Sequence, residues 1–311
     1  MIDARRLQVL AEVARRGSFN QAAAELRLTP SAVSQQISAL ERAVGTPVVR
    51  RSTRGVELTD AGRVLVETGE AIAAELLGAE REIAKLSGDR DERLTVATFT
   101  SGGQRILPSA LTRFTAAHPG VELTVIESEP EDSLPLLRAG SADLVLAYHF
   151  DGPPPVRPGD RSGLNWTPLL MDPMWIVLPA GHQHGRQASV TIAELAGERW
   201  VHGCLSIGDM LDHYAAMAGF QVRTACHGTD YQFAQSLVRA GVGISMIPEV
   251  ALTADHTGLT AVRLAPPGPC RFVGAASVRR RRSPLADDLL RILGETVTAL
   301  PVAPLTTDSQ A

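Results

Sequence analysis

The chain is poor in cysteine, almost free of lysine and without a long apolar run. Cysteine occurs only at 204, 226 and 270. Three cysteines cannot build a disulfide framework, so a reducing, cytoplasmic setting is expected. No segment reaches the roughly 18 uninterrupted apolar residues that a bilayer span requires. The opening MIDARRLQVLAEVARRG is charged and amphipathic rather than a secretory h-region, so no export signal is expected. Lys85 is the one lysine beside 29 arginines. Because that excess runs through the whole chain, it reads as codon bias.

What is present suits folded domains. The 311 residues are 44% hydrophobic and 21% charged, with a mean hydropathy of +0.03, enough chain for two or three domains. The net charge of −4 argues against a nucleic-acid partner only while it is taken as a sum. Residues 1–58 hold nine arginines against five acids, a net of +4; the remainder holds 21 basic residues against 29 acids, a net of −8. A basic module therefore precedes an acidic remainder.

Within the basic module, Leu7, Leu10, Ala11 and Ala14 repeat at helical spacing up to Gly17. Ala22, Ala23 and Leu26 line a short second helix after Ser18. Thr29 is a good N-cap and Pro30 fits the first position of a third helix. That helix buries Val33, Ile37, Leu40 and Val44 and presents Ser31, Ser34, Gln35, Ser38 and Arg42. This is helix-turn-helix patterning, whose second helix lies in the major groove of DNA, where Gln pairs with adenine and Ser serves either partner. Val48–Arg51 and Gly55–Leu58 flank a basic tip and read as a hairpin wing. Its Arg50, Arg51 and Arg54 suit phosphate or the minor groove. The expected DNA-binding residues are thus Thr29, Pro30, Ser31, Ser34, Gln35, Ser38, Arg50, Arg51 and Arg54. A long helix follows from Thr59-Asp60, with Leu65, Ile72, Leu76, Ala79, Ile83 and Leu86 in a heptad seam, and Gly69 and Gly78 as weak points. Such a narrow stripe is marginal alone and is expected to pair with a second copy.

The stretch SFNQAAAELRLTPSAVSQQISALERAVGTPVVRRSTRGVELTDAG resembles the winged helix-turn-helix of bacterial LysR-type transcriptional regulators. The residues that carry the likeness are Ala22-Ala23, Ser31, Val33, Ser34, Ile37, Leu40-Glu41, Val49-Arg50 and Thr59 shortly before Gly62. Further on, Leu107-Pro108, Phe114, His118-Pro119, Leu137, Gly140, Asp143-Leu144, Leu178–His182 and Ala240–Ile244 with Pro248 are similar to that family's effector domain. The resemblance implies a winged helix-turn-helix and long linker helix, followed by an α/β two-lobed periplasmic-binding-protein-like (type II) domain. It also implies a DNA operator and a small-molecule effector as partners, and assembly as a homodimer through 59–87 or as a homotetramer.

The remaining residues alternate strand and helix patterns, which is βαβ grammar. The expected strands include Leu94–Phe99, Val121–Ile126, Leu144–Tyr148 and Met174–Leu178. Helices are expected over Ile106–Ala117 and Leu134–Arg138, with a last one over Pro284–Leu300. The expected division is 1–58 for DNA binding, 59–87 for pairing and 92–300 for the effector. Within 92–300, one lobe comprises about 92–163 and 270–300 and the other about 164–269. A loop over Asp151–Gly163 joins the lobes, and a disordered tail spans 301–311. In open α/β sheets a ligand lies off the carboxyl ends of the strands. That points to Thr100, Ser101, Gly102, Gly103, the strand end Tyr148-His149, His202, Cys204, Ser206 and Thr229. Hydroxyls and bare amides at a helix start would favour an anion there.

Rival chemistries are incomplete. Gly241-Val242-Gly243 lacks the third glycine of a dinucleotide fingerprint, and Cys204–Gly208 lacks the first glycine of a hydrolase elbow. His182-Gln183-His184 has no second ligand pair, so neither a metal nor another cofactor is expected. Cys204 is similar in place to the reactive cysteine of peroxide-sensing family members, but no second cysteine follows within a few residues; a small buried thiol is expected. A solute-binding or catalytic α/β protein would leave the basic N-terminal module without a role. The expectation is a regulator, not an enzyme.

Overall fold

A computed structural model describes residues 2–52, 55–86, 93–150, 164–279 and 283–298. The expected loop 151–163 and tail 301–311 lie outside the described residues. Helices α1 (Ala4–Arg16), α2 (Phe19–Glu25) and α3 (Pro30–Val44) enclose a core of Leu7, Leu10, Val13, Ala22, Val33, Ile37 and Leu40. Asp3 caps α1 through the Arg6 amide at 3.0 Å. Between α2 and α3, the Leu28 amide donates to the Ala23 carbonyl at 2.8 Å and the Arg27 amide to Ala24 at 3.2 Å. That Schellman pattern needs a left-handed residue, and it falls on Arg27, with φ of 53°. Strands β1 (Val49–Ser52) and β2 (Gly55–Leu58) form the antiparallel wing.

The long helix α4 (Asp60–Leu86) starts at Thr59, whose hydroxyl accepts from the Gly62 amide at 3.1 Å. Its first turns pack on their own chain. Leu65 joins the N-terminal core, and a Cβ on Gly69 would stand 2.8 Å from the Leu7 Cβ. Gly69 is therefore a point of close helix contact rather than a weak point, and the exposed part of the seam begins later, with Ile72, Leu76 and Ile83.

Next come β3 (Arg93–Thr98), α5 (Thr100–Arg105), α6 (Leu107–Ala117), β4 (Glu122–Glu127), α7 (Pro130–Arg138) and β5 (Leu144–His149). Strand β3 runs parallel between β4 and β5, and α6 packs over Phe99, Ile106 and Leu146. Strand β6 (Leu164–Pro179) is 16 residues long and serves two sheets. Its first half pairs with β12 (Cys270–Val278) beside β5; its second half pairs with β10 (Ser245–Pro248) and β11 (Leu259–Leu264). Residues 164–173 therefore lie on the first lobe's sheet, and the second lobe begins near Met174 rather than at 164.

That second lobe adds β7 (Ser189–Val190), β8 (Arg199–His202), α8 (Leu205–Met217), β9 (Arg223–His227) and α9 (Tyr231–Arg239). Its core gathers Trp175, Ile176, Leu178, Trp200, Leu211, Val238 and Ile247. Strand β12 returns to the first lobe, and α10 (Pro284–Thr298) closes it through Leu289, Ile292 and Leu293. No helix among the described residues is long and apolar enough to cross a membrane.

Candidate functional site

The α3 face stands on a rigid base. Val33, Ile37 and Leu40 are buried behind it, while Thr29, Pro30, Ser31, Gln35, Ser38 and Arg42 are exposed and Ser34 is half-buried. The Thr29 hydroxyl accepts from the Ala32 amide at 3.2 Å and lies 3.0 Å from the Ser31 hydroxyl. Gln36 turns inward, accepting from Arg6 Nε at 3.3 Å, so Gln35 is the outward amide. On the wing, Arg50 is exposed opposite Glu57. Arg51 belongs to β1, but its side chain and the whole of Arg54 lie outside the described residues.

The second site forms where the lobes meet. Asp172 on β6 and Arg271 on β12 are register partners, and their side chains are 0% and 1% exposed. Arg271 Nε and Nη2 donate to Asp172 Oδ2 at 2.8 and 2.6 Å, and its Nη1 donates to Ser101 Oγ at 3.1 Å. The guanidinium lies about 5.0 Å from the ring centres of both Phe99 and Tyr148. Burial acts against the charge, but Asp172 outweighs it and holds the Arg271 pKa above its usual value. Across the junction, the Tyr148 hydroxyl donates to Glu129 Oε2 at 2.7 Å and lies 3.4 Å from Cys204 Sγ. Burial raises the Glu129 pKa, and the neighbouring Glu131 and Glu127 add to the rise.

Beside this cluster is a cavity of about 430 Å³, lined by Thr100, Gln104, Glu127, Ser128 and Glu129 from the first lobe and Thr229 and Asp230 from the second. That size suits a small molecule. The Thr100 hydroxyl donates to Glu127 Oε1 at 2.6 Å.

A model of the bacterial regulatory helix-turn-helix protein, lysR family, matches residues 4–63, and one of the LysR substrate binding domain matches residues 87–298. The chain belongs to the LysR family of transcriptional regulators. It is 29% identical over 304 residues to the HTH-type transcriptional regulator IlvR of Caulobacter vibrioides, covering 96% of this chain and 99% of that one. A full-length OxyR variant from Pseudomonas aeruginosa shares the fold, with a TM-score of 0.57 at 19% identity, covering 100% of this chain and 99% of that one. CbnR complexed with its target DNA aligns with a TM-score of 0.53 at 21% identity, covering 95% and 100%. The regulator thus joins a DNA-binding domain to a domain that binds a small-molecule effector.

In this regulator the expected effector residues do not all converge among those described. Thr100 and Thr229 line the cavity, and Ser101 touches Arg271. Thr100–Gly103 is not a loop before a helix but part of α5 itself, a six-residue turn. Gly102 is a packing glycine: a Cβ there would meet Phe99 at 2.8 Å and Leu146 at 3.0 Å. Gly103 lies beside Thr98. His149 sits on the opposite face of β5 from Tyr148, stacked on Phe272 at 5.3 Å between ring centres. His202 is buried against Thr224 and His227, and burial lowers its pKa, leaving it neutral at neutral pH. Cys204 is buried beside Tyr148, and none of the three cysteines is in a disulfide. The Ser206 side chain lies outside the described residues. Glu129, Asp172, Tyr231 and Arg271 were not among the expected residues, whereas the strand end Tyr148-His149 was. The one signal for Arg271 was a charge directly before the apolar run Phe272-Val273.

Proposed function

We propose that α3 reads base edges with Ser31, Ser34, Gln35 and Ser38, while Thr29 and Pro30 fix the start of the helix. Arg50, Arg51 and Arg54 hold phosphate. The exposed Ile72 and Leu76 of α4 pair two copies into a dimer, which associates further into a tetramer. The working division is 1–58 for DNA, 59–87 for pairing and 92–300 for the effector, which enters between the lobes. The protein acts in the cytoplasm and has no catalytic role. The observation that carries the reading is the α3 face, polar, exposed and nearly uncharged, on a core that does not depend on it.

The test uses duplexes mapped by recovering bound genomic fragments. Gln35→Ala is expected to weaken the mapped operator by about tenfold to a hundredfold, the worth of a good base contact, with no change in thermal stability. Arg50→Ala is expected to weaken specific and random duplexes alike and to lower the salt slope by about one. Unchanged operator affinity in Gln35→Ala would remove α3 from the reading role.

A further inference from the structure

The inter-lobe cavity has a sign. Among the described residues lining it, every charged side chain is a carboxylate: Glu127 and Glu129 on one lobe, Asp230 on the other. Each is held in place by a neutral donor. Glu127 takes the Thr100 hydroxyl at 2.6 Å, Glu129 the Tyr148 hydroxyl at 2.7 Å and Asp230 the Phe233 amide at 2.7 Å. No ion pair joins any of the three to a cation among the described residues. The Arg271 guanidinium, an electrostatic neighbour of Glu129, is buried and committed to Asp172 and Ser101.

A second observation comes from the neighbouring hydroxyl. Tyr231 follows Asp230 in the chain, is 6% exposed, and its hydroxyl has no hydrogen-bond partner among the described residues. It lies within electrostatic reach of Glu129, Cys204, Asp172 and Arg271. Tyr231 does not itself line the cavity and its hydroxyl is closed to solvent, so the free energy of its missing bond is recovered only by a ligand that lobe closure brings against it.

These features oppose the anion that the helix start alone suggested. The α5 helix is one short turn, and its first hydroxyl already serves a carboxylate of the protein. An anion entering here would meet three like charges with no free cation to receive it.

We propose that the effector is a small organic cation, bearing an amine or guanidine group, held between Glu127 and Glu129 of the first lobe and Asp230 of the second. This rests on the inter-lobe cleft being the effector site. Carboxylates of both lobes line the cleft. A cation that bridges them draws the lobes together, which gives the ligand its differential affinity for the closed arrangement. The cavity is far roomier than a bare metal ion needs, so the charge sits on an organic frame.

The test is calorimetric titration of the full-length protein with 1,4-diaminobutane, succinate and magnesium chloride, each up to about 10 mM, a range that reaches weak millimolar binding. Diaminobutane is expected to bind. Glu129→Gln is expected to weaken it by about tenfold or more, the worth of a charge-assisted contact, without loss of thermal stability. Glu127→Gln, on a more exposed residue, repeats the test if Glu129→Gln fails to fold. Succinate binding that Thr229→Trp abolishes would keep the cleft as the effector site and overturn the cation. Binding of either organic probe that ignores both Thr229→Trp and Glu129→Gln would overturn the cleft itself. Magnesium matching diaminobutane, or no binding by diaminobutane, would also overturn the proposal.

Discussion

The α3 face and the inter-lobe junction solve opposite problems. On α3 the exposed Ser31, Gln35 and Ser38 make no contribution to the core behind them, which Val33, Ile37 and Leu40 supply. At the junction, Arg271 and Asp172 are buried in the fold, and Arg271 holds Ser101, the chain neighbour of the cavity-lining Thr100. The polar face and the stabilising core are separable on α3, whereas at the junction the stabilising pair adjoins the residues of the cavity. On the proposed reading, the α3 face can therefore change its target without endangering the protein, whereas the sensor retunes around a fixed centre.

The sharpest way to break that contrast is to remove the buried charge. Arg271→Met leaves Asp172 buried without its cation, and unfolding followed by denaturant titration should show a loss of about 3–5 kcal/mol. If the loss stays below about 1 kcal/mol, the junction is as separable as the α3 face.

Acid should move the two regions in opposite directions. In the reader, burial pushes the Glu12 pKa up, but hydrogen bonds and charge from Arg15 and Arg16 prevail and hold it below the usual 4.5. Its contribution is fully present above pH 4.5 and is lost as pH falls through its folded value. In the sensor, Glu129 is raised, so its folded form binds a proton more tightly than the unfolded form does. Its destabilising effect is felt above its folded pKa and is relieved as pH falls toward 4.5. Replacing each with Gln and following thermal unfolding against pH should flatten opposite slopes.

The smallest effect concerns the turn between α2 and α3. Arg27 adopts φ of 53°, which glycine accepts without the steric cost of a Cβ. Arg27→Gly should stabilise the N-terminal domain by about 0.5–1 kcal/mol in thermal unfolding. A loss instead would show that the Arg27 side chain matters more than its backbone.

The same contrast explains what was legible beforehand. One continuous helical period fixes which side of α3 faces out, so its face could be read directly from residues 31–42. The alternating runs on either side of the wing were similarly local. The junction is not local: Asp172 and Arg271 stand 99 positions apart, and period-two alternation names no partner strand. Parity did the rest. Tyr148 and His149 occupy opposite faces of β5, and only the fold shows that the cleft takes Tyr148. Likewise, the two-sheet role of β6 was not visible, because only its second half, Met174–Leu178, reads as a strand, and Pro168 and Pro173 interrupt the pattern before it.

The pairing of β6 with β12 also limits how the lobes can rearrange. Both are crossing strands, and Asp172 faces Arg271 where they cross. A slip by one residue would turn Arg271 to the other face of its strand and strand Asp172 in an apolar interior. Sliding of one lobe past the other is therefore forbidden, while twisting about this point leaves the ladder intact. The ion pair acts as a rivet, and on the proposed reading it leaves an effector in the cleft with essentially one coordinate to drive: the angle between the lobes.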